Sequence, residues 1–171
     1  MTIDRLLRGV PSRRDVRLGT LRVARAHFGQ FAQAERYLSS DPEAVRLLYR
    51  LEHGHRAYRI DFIRNGNDRF DGDRTIAWDP HSALRTTSGG RQSPALGLLH
   101  EEDHAYEREI DAARLSRLQN TFDARYDNRE ERRVITGVET RAATILGEGA
   151  RHDHDGSLYV VPSPATLGIV A

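Results

Sequence analysis

Residues His100-Glu101-Glu102-Asp103-His104 form an HExxH pattern, and its spacing has a direct chemical meaning. On an α-helix four residues advance by about 400° and 6 Å, so both imidazoles leave one face from adjacent turns and can ligate the same tetrahedral ion. Glu101 then stands about 100° around the helix, where its carboxylate can accept a proton from an attacking water and pass it to a leaving amine. Random placement of the chain's eight His and eleven Glu would produce the pattern with a probability of about 2%, so the setting has to decide. Leu96, Leu98 and Leu99 before the motif and Ala105 after it describe a helix buried around its ligands. The alternative is a charged surface helix that happens to carry two His.

A catalytic zinc takes a third protein ligand and keeps one position open. The HxxGxxH continuation is absent, because Glu107 and Ile110 occupy its Gly and His positions, so the ligand must come from elsewhere. Glu139 is the best candidate. On a helix over residues 129–146, Val134, Ile135, Val138, Ala142, Ile145 and Leu146 fill an arc of about 120°, and Glu139 projects at its edge. A carboxylate buried there needs a cation, either a metal or one of the many Arg. Asp111, seven residues after His104, is a candidate second partner for a ligand His or a competing ligand. His154 and Arg151, with His152 and Tyr159 as alternatives, are candidates to stabilise the oxyanion of a tetrahedral intermediate; the competing reading is a solvated His/Asp-rich loop. His27, His53, His55 and His81 read as ordinary polar residues.

The elements that must position these side chains belong to a chain of 171 residues, room for one domain of ordinary size. Its 26 basic and 25 acidic residues leave a net charge of +1, which excludes a global pull toward nucleic acid or an anionic membrane. No apolar run approaches the roughly 20 residues of a bilayer span. Cys is absent, so any metal must be held by His, Asp or Glu. All 26 basic residues are Arg, which GC-rich coding explains and which would also suit a protein working in a ubiquitin-using cytosol.

The first 36 residues carry eight Arg against three acids, so residues 1–40 are read as a basic amino-terminal segment, helical or partly flexible, ahead of a domain over 41–171. Arg5, Arg8 and Pro11 interrupt Leu6, Leu7 and Val10, which does not support a Sec-type signal peptide. Leu21, Val23, Ala24, Phe28, Phe31, Ala32 and Leu38 predict one or two amphipathic helices. Ser40-Asp41-Pro42 predicts a helix start, with the end at Gly54. Residues 58–63 and 74–78, separated by turn formers, predict a β-hairpin, and residues 81–92 a mobile loop. A long helix is expected from Ser93-Pro94 past Leu115, another over 129–146, and a last short strand over 158–161.

Ser93-Pro94-Ala95-Leu96-Gly97-Leu98-Leu99 leading into HExxH, the upstream Thr75-Ile76-Ala77-Trp78-Asp79-Pro80, and the downstream Gly137-Val138-Glu139 with Leu146-Gly147-Glu148 and Arg151 together resemble the NleD-like zinc metallopeptidases, type III secreted effector proteases that bacteria inject into host cells. The resemblance covers residues 58–155. It implies a zincin-type fold, Zn2+ as cofactor, His100 and His104 as ligands, Glu101 as base and Glu139 as third ligand. It further implies secretion by the bacterium, a place in the host cytoplasm, and host signalling proteins as substrates, mitogen-activated protein kinases among them. The family has apolar residues where Glu102 and Asp103 stand; unless these face solvent or Arg, their fields would make the attacking water a weaker acid. It tends to have Tyr where this chain has His154.

The expected architecture is an α+β zincin-like domain in which the hairpin packs beside the HExxH helix and a second helix bears the third ligand. Residues 74–78 would form an edge strand for an extended substrate, with the loop over 81–92 covering the cleft. The expected reaction is endoproteolysis by a monomer. The alternative is a catalytically inactive zinc-binding protein whose Arg-rich amino-terminal segment engages a partner such as a secretion chaperone; a site closed by Asp111 or His152 would favour it. Specific nucleic-acid binding is not expected, because the basic segment has little aromatic interleaving.

Overall fold

The computed structural model describes residues 15–168, and these form an α+β arrangement. Leu21 and Val23 are buried on alternate positions, a period of two that suits a strand. They lie on β2 (Leu21–Ala24), which pairs with β1 (Asp15–Leu18) in an antiparallel hairpin. Gly19 turns this hairpin at φ 58°; a Cβ there would lie 2.0 Å from the Glu52 carbonyl oxygen, so only glycine fits. The helix expected from residue 21 therefore begins only at α1 (Phe28–Leu38). The next start signal holds. Asp41 accepts the Glu43 N–H, Pro42 occupies the first turn, and α2 (Pro42–His53) ends at Gly54.

The expected hairpin over 58–63 and 74–78 is corrected by the pairing of β3 (Arg59–Phe62) with β5 (Thr75–Trp78), which is parallel. Parallel neighbours require a long crossover, and residues 63–74 supply it while carrying β4 (Arg69–Phe70) to the outside of β5. The order is β1-β2-β3-β5-β4. Residues 75–78 thus sit inside the sheet, and β4 is its edge.

Residues 81–92 are not a mobile loop. Ala83 and Thr86 turn inward, and β6 (Ser82–Thr86) pairs with β7 (Arg91–Gln92) across a turn through Gly89. The last strand, β10 (Gly156–Val160), flanks β6 on its other side.

Ser93 caps α3 (Pro94–Ile110) by accepting the Leu96 N–H, and the buried Trp78 indole donates to the Pro94 carbonyl at 2.8 Å. The sheet thereby pins the start of the HExxH helix. This helix does not run past Leu115: Asp111 leaves helical geometry (φ −153°, ψ 81°) and accepts the Arg114 N–H, starting α4 (Ala112–Gln119). A small hairpin, β8 (Phe122–Asp123) with β9 (Asp127–Asn128), leads to α5 (Arg129–Val134), capped by Asn128. The helix continues through a π-helical turn at Ile135–Glu139 into α6 (Thr140–Leu146). One core includes Leu21, Phe31, Leu51, Trp78, Leu98 and Val138. The described part of the basic segment therefore belongs to the same core as the rest, and residues 1–14 lie outside the described residues. No helix of the described residues is long and apolar enough to cross a membrane.

Where α1 packs on α3, the Glu35 and Glu102 carboxyls meet, with Glu52 nearby. Burial, reinforced by the Glu35 charge, pushes Glu102 well above the usual carboxylate range, and burial raises Glu35 to about 7. Folded values above the unfolded ones mean that the pair is tolerated while protonated and penalises the fold as pH rises from about 4.5 through about 7. Glu35→Gln should stabilise the chain by on the order of 1–3 kcal/mol at pH 8, a rise of several degrees in Tm, and by little at pH 4. Equal shifts at the two pH values in thermal unfolding would contradict this account.

Candidate metal centre

His100 and His104 project from adjacent turns of α3, both nearly fully buried, with their Nε2 atoms 3.1 Å apart. Each ring is held at its other nitrogen by a buried carboxylate: His100 Nδ1 is 2.8 Å from Glu139 Oε2, and His104 Nδ1 is 3.0 Å from Glu130 Oε1. A carboxylate at Nδ1 favours a proton there, so that Nε2, once it gives up any proton it shares with Glu131, is the nitrogen free to ligate. Glu131 completes the triangle, with Oε2 2.9 Å from His100 Nε2 and Oε1 3.2 Å from His104 Nε2. One ligand atom from each of the three residues lies within 4.8 Å of the others, so the group could hold a metal ion. Bonds of about 2.0–2.1 Å in a tetrahedral site put ligand atoms roughly 3.3 Å apart, close to the 3.1 Å between the two Nε2 atoms.

The converging carboxylate is thus Glu131, one helical segment before the expected Glu139. Glu139 sits on the opposite side of the His100 ring, where Arg151 Nε and Nη2 donate to it at 2.8 and 2.6 Å and Gln92 Nε2 at 2.8 Å. The displacement follows from the π-helical turn. Eight residues of regular α-helix would separate Glu131 and Glu139 by about 80°. A turn of roughly 4.4 residues rotates less per residue and brings the two toward one face, so both reach His100. The available signal was Asn128-Arg129-Glu130-Glu131: a capping residue followed by two acids, which complementing the helix dipole already explains.

Arg151 is committed to Glu139 in a bidentate pair, which makes it a positioning group for that carboxylate. Asp111 is exposed and caps α4, so it neither ligates nor supports a His. His154 does reach the site: Nε2 lies 3.4 Å from Glu131 Oε2, while Nδ1 lies 2.6 Å from Asp127 Oδ2. Asp127 has a left-handed backbone at φ 64°, a conformation that Asp tolerates better than most residues and that recurs at functional sites. His152 is exposed, and the Tyr159 hydroxyl donates to the Leu167 carbonyl. Asp103 meets Arg133 at 2.8 Å, so its field is countered, whereas Glu102 faces Glu35 instead.

Glu101 accepts the Phe70 N–H of β4 at 2.6 Å and, with His100 and His154, lines a cavity of about 280 Å³. Burial alone would lower both ligand imidazoles. The carboxylates outweigh it, raising His100 to about 10 through Glu131 and Glu139 and His104 to about 9 through Glu130 and Glu131. Burial would raise Glu131 and Glu139, yet His100, His104 and His154 hold Glu131 far below the usual range, and His100 with Arg151 holds Glu139 at about 2. The cluster is built to retain positive charge. Comparison with protein-family models, with characterised proteins and with solved structures finds no match.

Two measurements check this geometry. Raised imidazole values stabilise the metal-free fold fully below about 6.5, and that contribution is lost as pH rises through 9 to 10. Near pH 7 zinc must therefore displace at least one proton, readable as buffer-dependent heats in calorimetry. Glu131→Ala should weaken zinc binding by well over 100-fold in chelator competition, against about 10–100-fold for Glu139→Gln; the reverse order would move the third ligand to Glu139.

Proposed function

We propose that the chain is a zinc-dependent endopeptidase of the zincin type. The observation that carries this reading is the convergence of His100 Nε2 and His104 Nε2, 3.1 Å apart, on the Glu131 carboxylate, whose Oε2 lies 2.9 Å from the first and Oε1 3.2 Å from the second, with Glu101 on the wall of the adjoining cavity. His100, His104 and Glu131 would hold the zinc, which would supply Lewis acidity toward an amide carbonyl and make a water more acidic. Glu101 takes the proton of the attacking water and delivers it to the departing amine, its orientation kept by the Phe70 N–H. His154, raised above its ordinary value chiefly by the neighbouring Glu131 carboxylate, places positive charge near the developing oxyanion. Arg151 keeps Glu139, and through it the His100 ring, in register.

Residues 74–78 lie inside their sheet, so a different edge receives the substrate main chain. β10 has β6 as its one strand neighbour among the described residues. It exposes Leu158 and Val160, and Leu158 lines the cavity beside His100. An extended peptide can pair there through its backbone while its apolar side chains rest on these two residues. The alternative of a closed, non-catalytic metal site is less well supported, because Asp111 and His152 both stand elsewhere. The resemblance to the NleD-like family supports host cytoplasmic signalling proteins, mitogen-activated protein kinases among them, as the substrate class.

Glu101→Gln keeps an oxygen acceptor for the Phe70 N–H and removes the base. In cells producing the chain, wild type should generate new protein termini in a mass-spectrometric survey. The variant should lose cleavage by 10²-fold or more while binding zinc as wild type does. Undiminished cleavage by the variant would refute the assignment of the base, and no new termini from a zinc-loaded wild type would refute the peptidase.

A further inference from the structure

We propose that the cavity beside His100 is a receptor for one long cationic side chain, Arg or Lys, with Asp68 as the group that recognises it. As a statement about substrate this rests on the endopeptidase reading, and it makes the preferred scissile bond one with a basic residue next to it. The cavity of about 280 Å³ falls just under the range of roughly 300–1,000 Å³ usual for small-molecule sites, a size suited to a single side chain.

Asp68 lines this cavity together with Gly66, Leu84, Gly97 and Leu158. Its Oδ1 accepts the Asp79 N–H at 2.7 Å. Its Oδ2 lies over α3 at Gly97, where an added Cβ would approach it to 3.2 Å, so the missing side chain of Gly97 leaves this oxygen room. Glycine and aliphatic walls suit the methylene stem of a Lys or Arg, whose charged head then reaches a polar end.

The charge pattern around the centre identifies the ligand. Glu139 pairs with Arg151, Glu130 and Asp103 with Arg133, and Glu107 with Arg114. Among the described residues no cation forms an ion pair with Asp68: the nearby Glu101 and Asp79 add negative charge, His100 acts in the opposite sense without pairing with it, and Arg151 and His154 on the same cavity wall are engaged by Glu139 and by Asp127 and Glu131. Burial first, and these charges after it, push the Asp68 carboxyl up to about 8, which describes a carboxylate short of a positive partner. A guanidinium or ammonium entering the cavity supplies that partner. An acidic side chain would be repelled, and a neutral one would leave Asp68 as it is.

The test uses the full chain with zinc added and follows binding of N-acetyl-arginine amide, N-acetyl-lysine amide and N-acetyl-citrulline amide by calorimetry or NMR titration. Wild type should bind the arginine compound at least tenfold more tightly than its uncharged citrulline counterpart. Asp68→Asn keeps the acceptor for the Asp79 N–H and should abolish this preference without lowering Tm by more than a few degrees. A charge preference that survives Asp68→Asn, or none in wild type, would overturn the proposal. Gly97→Ala, which crowds Oδ2, should weaken binding of both cationic compounds and leave that of the citrulline compound within twofold. Ligand binding is read without turnover, so an Asp68-dependent preference in a chain that cleaves no peptide would overturn the peptidase and leave the receptor standing. Cleavage with no bias toward Arg or Lys would do the opposite.

Discussion

Two imidazole nitrogens held 3.1 Å apart in a buried site are the constraint on which the rest of the structure depends. With Nδ1 protons directed at Glu139 and Glu130, the facing Nε2 lone pairs repel unless a cation lies between them or one ring gains a second proton. Glu131 adds a further negative group to the same point. Such a cluster is costly to bury without positive charge, and the fold answers in layers. A metal or protons satisfy the centre, and Arg133 and Arg151 hold the outer carboxylates. Helix α3, the helix beginning at α5 and the segment bearing Arg151 must all be in place for this to close. The centre therefore acts as a clasp between elements distant in sequence.

Helix α3 also shows how one element assigns different tasks to five acids, of which Glu109 accepts the His55 N–H and the Tyr58 hydroxyl. Glu107 is tied to Arg114, and Asp103 to Arg133. Glu102 turns away from the centre into the α1 packing and shares a buried space with Glu35. Glu101, like Glu109, accepts a neutral backbone N–H, and it alone of the five opens onto the cavity beside His100. An Arg at Glu101 would lower its basicity, whereas a single N–H orients it and leaves a lone pair free. Within one run of residues, position at the cavity rather than residue type separates the proposed base from four structural acids.

The parts legible in the sequence were those governed by local rules. HExxH spacing, the Asp41-Pro42 and Ser93-Pro94 starts and the last strand, expected over 158–161 and found at 156–160, depend on neighbours within a few positions. Failures came where distant pairing or an irregular helix decided. Leu21 and Val23 fit either period until β1 pairs with β2. The segments at 58–63 and 74–78 look like a hairpin because turn formers separate them, yet β4 intervenes and makes the neighbours parallel. Helical periodicity carries Asp111 along a continuous helix, although an Asp three residues before an N–H it can accept is also a capping signal. Glu139 was found as a buried carboxylate near the centre, but its position relative to the metal-binding point depended on a helical phase that sequence periodicity assumes to be regular.

That phase links the site to the backbone. A π-helical turn is less favourable than continuous α-helix and persists where something gains from the added residue. At Ile135–Glu139 the turn contains Gly137, and the Thr140 hydroxyl donates to the Ile135 carbonyl at 2.6 Å, so part of the disrupted hydrogen bonding is recovered locally. The larger compensation is at the centre. The wider turn lets one helix offer Glu130 to His104, Glu131 to both Nε2 atoms and Glu139 to the far side of His100. A regular helix would rotate Glu139 away and leave His100 Nδ1 and Arg151 without their shared acceptor. The irregularity and the proposed metal centre are therefore one feature seen at two scales, and the buried polar network keeps the helix from relaxing to its ordinary form.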